Sequence, residues 1–165
     1  QCPFCKRVQL TLEKIRKKYS NEVQFGYRHF PLPFHKEAQG LAQAVECARD
    51  QDKFWELQSL FYKNISNSAN DKEVLGMAKR AGIDNIRDFE FCWRNGKYAE
   101  RVKNDIRDGI DLGIQGTPTF ILGIYDQETQ TVSGEMFSGA VSEEKFAQVI
   151  EKYLSSIRTE ADLSR

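Results

Sequence analysis

The 165-residue sequence lacks any apolar run of the roughly 18 to 20 residues that a membrane-spanning helix requires. Its longest apolar stretch, Phe120–Tyr125, has the length of a strand. An excess of charge is absent as well, because 24 Lys and Arg side chains balance 24 Asp and Glu side chains. The composition therefore gives no electrostatic reason to expect nucleic acid or an anionic membrane as a partner.

Metal ligands are scarce. The sequence has two histidines and four cysteines, of which Cys2 and Cys5 form one C-x-x-C pair. No second pair and no His pair has the spacing of zinc ligands. Lys6 stands where the c-type haem motif requires His. We therefore predict no metal and no cofactor other than a redox-active disulfide between Cys2 and Cys5.

The segment Cys2-Pro3-Phe4-Cys5 begins a helix that is predicted to run to about Tyr19. Unpaired N–H groups and the dipole at a helix start stabilise a thiolate on the first cysteine, and proline suits the first turn. The i, i+3 spacing lets the second sulfur reach the first and release a mixed disulfide. A purely structural disulfide is the alternative, but closing so short a loop gains little entropy. The motif favours redox chemistry.

The pattern after this helix predicts one strand and then a helical block. Val23, Phe25 and Tyr27 alternate with polar or small residues, which predicts a strand that ends near Phe30 before a proline loop. The helices of the block are predicted at 37–50, 53–64, 72–81, 86–95 and 97–112.

A hairpin and a last helix complete the chain. Segments 119–125 and 131–138 are predicted to pair as antiparallel strands, and a helix follows from Ser142 to about Ile157. Gly116-Thr117-Pro118-Thr119 precedes the first strand, where an X-Pro bond can be cis and leaves the neighbouring backbone open to a partner.

These motifs together resemble the DsbA-like family. The resemblance rests on Cys2–Cys5 at a helix start, on the strand running into Phe30-Pro31, and on Gly113–Phe120 before a hairpin. Phe54–Phe61 and Phe89–Gly96 are similar to the helical insertion of that family. The resemblance implies an α/β, thioredoxin-like fold with an all-helical insertion.

The resemblance also implies domain limits. Residues 1–34 and 113–157 would form the thioredoxin-like core, 35–112 the inserted helical subdomain, and 158–165 a polar tail that frays. In this family a strand precedes the cysteine motif, but this sequence begins one residue before Cys2. We expect the natural N-terminus to lie further upstream and another segment or chain to fill that place in the sheet.

The roles of the site residues follow from the same resemblance. Cys2 would be the exposed nucleophile and Cys5 the buried resolving thiol. Pro118 would be a cis-proline, and Thr117 would present its backbone to Cys2 and to bound substrate. Pro3 and Phe4 would tune the thiolate. Phe4 is expected to be exposed next to Cys2, where apolar surface would suit unfolded substrates.

The other two cysteines and the histidines have plainer interpretations. Cys47 and Cys92 are buried helix residues that pack as small hydrophobes, or they form a second disulfide in the extracytoplasmic compartment that the resemblance implies. His29 and His35 are predicted to be polar surface or capping residues, with His35 placed to border the active-site groove. An aromatic and apolar run in the second helix of the block is predicted to be core: Phe54, Trp55, Leu57, Leu60, Phe61 and Tyr62.

Three functions remain open from the sequence. The leading hypothesis is a dithiol oxidase in the periplasm or at the cell-envelope exterior, which would introduce disulfides into exported proteins and exchange electrons with a redox partner. A reductase or isomerase on the same scaffold is the first alternative. A non-catalytic DsbA-like binding or regulatory module is the second. The sequence does not decide the oligomeric state.

Overall fold

The computed structural model describes residues 1–66 and 68–163. Its helices are α1 (Pro3–Lys18), α2 (Ala38–Arg49), α3 (Phe54–Asn64), α4 (Asp71–Arg80), α5 (Ile86–Arg94), α6 (Ala99–Asp111) and α7 (Glu143–Leu163). The strands β1 (Thr119–Asp126) and β2 (Thr131–Ser138) form an antiparallel hairpin, with Thr119 opposite Ser138. The architecture is a thioredoxin-like fold with inserted helices, as predicted. Within the part described, no helix is both long and apolar enough to cross a membrane.

Helices α2 to α5 enclose one apolar core. Leu57, Ala48 and Phe89 are almost completely buried there, and a disulfide between Cys47 of α2 and Cys92 of α5 crosses it with 5.9 Å between the Cα atoms. The bonded cysteines tie α2 to α5, a short helix of nine residues.

A second core lies between α1, α7 and the hairpin. Val8 and Ile15 of α1 pack against Phe146 and Ile150 of α7, and all four are buried. The rings of Phe120, Phe137 and Phe146 close this core from the hairpin side, with centroids 4.8 to 5.6 Å apart. This packing fixes the position of α1, and with it the Cys2–Cys5 motif, relative to the loop that precedes β1.

The prediction of a strand over Val23–Phe30 is wrong. The segment is extended and its side chains alternate between buried and exposed, but no described strand pairs with its backbone. Val23 and Phe25 pack on the second core, whereas Tyr27 reaches the first. Side-chain burial therefore produced the period-2 pattern, but a ladder also needs a hydrogen-bonding neighbour. That another segment fills this place stays a prediction.

His29 is not a surface residue, and its prediction as one is wrong. Only 4% of it is exposed, and its Nε2 atom lies 2.9 Å from the fully buried carboxylate of Glu46. Its backbone N–H donates to Asp105 of α6 over 2.9 Å. Arg49 also donates to Glu46, and Arg101 forms an ion pair with it. Polar contacts therefore hold the segment before the proline loop to α2 and α6. These contacts could not be predicted from the sequence of the segment.

The last helix runs beyond its predicted end at Ile157. It continues to Leu163, and Arg158 donates to Glu22 over 2.6 Å, while the Thr159 hydroxyl donates to the Ser155 carbonyl. These contacts give the polar segment partners within the fold, so helical structure extends into the predicted tail. Ser164 and Arg165 lie outside the described residues.

Candidate active site

Cys2 occupies the N-cap of α1 and Pro3 its first turn. The Cys2 backbone is extended, and its carbonyl accepts the first helical hydrogen bond, from Lys6 over 3.1 Å. No described side chain caps the helix start. The free N–H groups of the first turn therefore face the Cys2 sulfur, and Pro3 costs no hydrogen bond there.

The loop before β1 carries the second half of the site. The Thr117–Pro118 peptide bond is cis, and the Cys2 thiol donates to the Thr117 carbonyl over 3.3 Å. The Pro118 carbonyl accepts from Gly139 over 2.8 Å, and the Thr119 hydroxyl donates to the Gly116 carbonyl over 2.8 Å. These bonds fix the loop to the hairpin, so two motifs 115 residues apart in sequence meet at one sulfur.

Cys2 is buried, and the prediction that it is exposed is wrong. Only 8% of Cys2 and 7% of Cys5 is accessible. The Cys2 sulfur is covered by the Thr117 backbone and lies in a groove of about 610 Å³ that is also lined by Pro3, His35 and Tyr62. Access to the thiol is therefore through this groove.

The pKa of the Cys2 thiol is lowered from its ordinary value. Burial acts to raise the pKa, but hydrogen bonds from the Thr117 side chain, from the Cys5 backbone and side chain, and from the Phe4 backbone outweigh it. The Thr117 carbonyl has the opposite preference, because it accepts from the protonated thiol. The hydrogen bonds from the Thr117 side chain and from the start of α1 together set the net direction, which favours the thiolate.

The pKa of Cys5 moves the other way. Burial and the negative charge of Cys2 together raise it to about 11, although a hydrogen bond from the Thr117 side chain acts to lower it. Both sulfurs are free thiols in the structure. Two sulfurs one helical turn apart thus have opposite tendencies to ionise, which is the asymmetry that an attacking and a resolving thiol require.

Two exposed aromatic side chains lie near Cys2: Phe34 lines the groove, and Phe4 belongs to the first turn of α1. Phe4 is 50% exposed, as predicted, with the Arg7 guanidinium 5.3 Å from its ring centroid. Phe34 is 73% exposed and packs on His35, with the ring centroids 4.7 Å apart. His35 lines the groove, in agreement with its predicted position at the border. The rim can therefore contact an extended, partly apolar chain.

The structure does not bring the remaining cysteines to this site. Cys47 and Cys92 are bonded to each other inside the helical core, and neither lines the groove. Two polar groups near Cys5 were missed by sequence reasoning, Tyr27 and Tyr62, whose hydroxyl oxygens lie 2.9 Å apart. Tyr62 was predicted to be core, but it lines the groove beside Cys2.

Comparison with known families agrees with this geometry. A family model described as thioredoxin matches residues 1–152. The chain belongs to the thioredoxin family. This membership and the two free thiols of the C-x-x-C motif support the assignment of the protein to the thiol-disulfide oxidoreductases.

Solved structures show the same fold. The thiol-disulfide exchange protein alpha-DsbA2 from Wolbachia pipientis superposes with a TM-score of 0.76 at 18% identity, covering 92% of this chain and 75% of that one. ScsC from Proteus mirabilis gives 0.73 at 21% identity, covering 94% and 79%. A probable DsbA oxidoreductase from Streptomyces coelicolor gives 0.72 at 18% identity, covering 93% and 86%. The fold of this chain is therefore the DsbA-like variant of the thioredoxin fold.

Curated relatives match over only a small part of their own length. A Na(+)/H(+) antiporter from Salinispora arenicola is 32% identical over 124 residues, which are 74% of this chain but 18% of the antiporter. One from Mycolicibacterium vanbaalenii is 31% identical over 128 residues, or 75% of this chain and 20% of the antiporter. The chain thus spans about a fifth of the length of these relatives. The match therefore does not indicate that this chain transports ions.

Proposed function

We propose that this protein is a dithiol oxidase in which Cys2 exchanges disulfides with substrate thiols and Cys5 resolves the mixed disulfide. The observation that carries the proposal is the asymmetry of the two sulfurs. Cys2 is at the N-cap of α1, beside the cis Thr117–Pro118 bond, with its pKa lowered, whereas burial raises the pKa of Cys5 to about 11.

Exchange in the oxidising direction begins with the disulfide between Cys2 and Cys5. A substrate thiolate attacks the Cys2 sulfur, the Cys2–Cys5 bond breaks, and Cys5 leaves with the electron pair and takes up a proton. A second substrate thiolate then attacks the substrate sulfur of the mixed disulfide and releases Cys2 as a thiolate. The substrate loses two electrons, and the protein gains them.

The expected direction follows from the stability of the reduced form. A thiolate stabilised on Cys2 favours the dithiol, so the disulfide is a comparatively strong oxidant. The bonded pair of Cys47 and Cys92 supports an oxidising, extracytoplasmic compartment, because structural disulfides persist there. Exported, unfolded proteins are the substrates that such a compartment and the apolar groove rim favour, with a separate redox partner to reoxidise the protein.

Equilibration with glutathione buffers measures the reduction potential of the Cys2–Cys5 pair, which decides the direction of exchange. The oxidase proposal predicts a reduction potential near that of the most oxidising family members, at about −120 mV. A value near about −270 mV, as in thioredoxin, contradicts the oxidase and favours the reductase or isomerase. The Cys5→Ser variant should accumulate a mixed disulfide with a disulfide-bonded peptide, because the Cys2 thiolate attacks the peptide disulfide and releases a peptide thiolate, and the Cys2→Ser variant should form none. Absence of exchange by the unaltered protein contradicts both and favours a non-catalytic module.

A further inference from the structure

The groove at Cys2 carries positive charge on its walls, although the protein as a whole is neutral. Lys6 and Lys36, called here the groove lysines, line the groove, and none of the described residues that line it is Asp or Glu. The imidazole of His35 adds little charge, because burial lowers its pKa. Over the whole sequence, 24 Lys and Arg side chains balance 24 Asp and Glu side chains. The excess is therefore local to the surface that meets a substrate at the reactive sulfur.

The groove lysines come from two separate elements. Lys6 lies one turn after Cys2 on the same face of α1, and its backbone N–H donates to the Cys2 carbonyl over 3.1 Å. Lys36 belongs to the loop before α2 and directly follows His35, another groove residue. A chain bound at the Cys2 sulfur would therefore pass a lysine from each of these elements.

The ammonium group of Lys6 is held in place and keeps free donors. Its Nζ atom donates to the carbonyl of Lys63, in the last turn of α3, over 3.2 Å. That contact uses one of three N–H donors and places the charge at a helix C-terminus, where it is favourable. Two donors remain for a ligand, and a side chain that is already positioned loses less entropy on binding.

The nearby carboxylates are bound to other donors. Glu13 of α1 pairs with Lys63 over 3.1 Å. Glu73 accepts from the backbone and the hydroxyl of Ser66, a groove residue, over 2.9 and 2.8 Å. Within the described residues, neither groove lysine forms an ion pair with an acidic side chain. Their charge is therefore available to a ligand.

We propose that Lys6 and Lys36 select substrate segments in which Asp or Glu flanks the reactive cysteine. The inference rests on the proposed function and names its substrate class, an extended acidic segment of an unfolded exported protein. The exposed ring of Phe34, which also lines the groove, would contact apolar side chains of the same segment. Charge complementarity of this kind acts on specificity and on the rate of encounter more than on affinity. The groove lysines take no part in the exchange of bonds.

Activated peptides measure this preference on the Cys5→Ser variant. Otherwise identical peptides carry one cysteine with Glu, Gln or Lys on both sides, and that cysteine is bonded to 2-thiopyridine. The Cys2 thiolate attacks the peptide sulfur, the bond to thiopyridine breaks, and thiopyridine leaves with the electron pair and takes up a proton. The absorbance of the released thiopyridone gives the rate of capture. Rates with 2-mercaptoethanol correct for the intrinsic reactivity of each peptide.

The corrected rate should be highest for the Glu peptide and lowest for the Lys peptide. At low ionic strength we expect the Glu peptide to react about threefold to tenfold faster than the Gln peptide, as exposed ion pairs allow. Salt at about 1 M, where the screening length is about 3 Å, should remove the difference. The double variant Lys6→Gln, Lys36→Gln should lose the preference. Because Lys36 is exposed, Lys36→Glu should keep the fold and shift the preference toward the Lys peptide.

Lys17→Gln is the matched control. Lys17 is exposed in the last turn of α1, about 16 Å along the helix from Lys6, so its replacement removes the same charge outside the groove. This variant should keep the full preference for the Glu peptide. The inference is overturned if the Glu and Gln peptides react equally, if the double variant keeps the preference, or if Lys17→Gln loses it. Capture of every peptide no faster than by an ordinary thiol would instead overturn the proposed function.

Discussion

The imidazole of His29 and the carboxylate of Glu46 are joined by a 2.9 Å hydrogen bond, and Glu46 has no solvent-exposed surface. Glu46 also accepts from Arg49 over 2.8 Å and forms an ion pair with Arg101, with 3.0 Å between the nitrogen and the oxygen. On the other side of His29, its backbone donates to Asp105, which pairs with Arg28 over 2.8 Å. These contacts hold the extended segment to helices α2 and α6, and the same segment carries Tyr27 to the active site.

Glu46→Gln should lower the free energy of unfolding. The amide cannot balance the charges of Arg49 and Arg101, and it pairs poorly with His29. We expect a loss of about 2–4 kcal/mol, below the upper limit for a broken buried pair because both arginines remain partly in water. Urea unfolding of the variant and of the unaltered protein measures this loss of unfolding free energy. Glu100→Gln is the control, since Glu100 is 77% exposed in its pair with Lys103 and should change little. Equal effects of the two substitutions would contradict the structural role of Glu46.

The contribution of Glu46 should disappear in acid. Burial acts to raise the pKa of Glu46, but hydrogen bonds from His29 and Arg49 lower it to about 2, against 4.5 ordinarily. The unfolded state therefore binds more protons between these values, so the stabilisation is complete above pH 4.5 and is lost as the pH falls through about 2. Urea unfolding from pH 6 downward should show the difference between the unaltered protein and Glu46→Gln narrowing below pH 4.5. A constant difference would contradict this linkage.

Two glycines in helix interiors should respond oppositely to alanine. A Cβ atom at Gly109 of α6 would lie 2.6 Å from the Phe30 ring, so Gly109→Ala should push the extended segment away from α6 and destabilise the fold. A Cβ at Gly76 of α4 would meet nothing within 4 Å. Gly76→Ala should therefore stabilise by about 0.5–1 kcal/mol through helix propensity alone. Thermal unfolding of both variants tests the contact, and a stabilising Gly109→Ala would contradict it.

The disulfide of Cys47 and Cys92 should contribute to stability and not to exchange. It closes a loop with a sequence separation of 45 residues inside the helical core. The double variant Cys47→Ala, Cys92→Ala should lose about 2–4 kcal/mol of unfolding free energy, by constraint of the unfolded chain. The capture rate of Cys2 with oxidised glutathione should remain unchanged. A selective loss of capture in a folded double variant would contradict the separation of the two pairs.

Local signals in the sequence located most helices and the site. Asn70 caps α4 by accepting from the Glu73 backbone over 3.0 Å, and Gly82 has a positive φ of 79° just beyond its end; both residue types are local signals of a helix limit. The Glu73 side chain, however, accepts from the Ser66 backbone and hydroxyl rather than completing a reciprocal cap with Asn70. Backbone capping is a local matter, whereas the choice of a partner for a long side chain depends on the neighbouring loop.

The features that the sequence did not reveal depend on contacts between distant elements. His29 is a polar residue that comes just before the proline loop, and only the fold places Glu46 next to it. Burial of Cys2 follows from the Thr117 backbone, 115 residues away. Tyr62 lies on the boundary between the buried and the groove-facing side of α3, and a hydrophobic pattern cannot separate these two environments.

The pH dependence of Cys2 alkylation tests the central claim most directly. In the Cys5→Ser variant, Cys47 and Cys92 are bonded, so Cys2 is the thiol available to iodoacetamide. The rate should follow a titration whose midpoint lies below the ordinary thiol pKa of about 8.5, because hydrogen bonds from the Thr117 side chain and from the start of α1 favour the thiolate. A midpoint at or above that ordinary value would contradict the account.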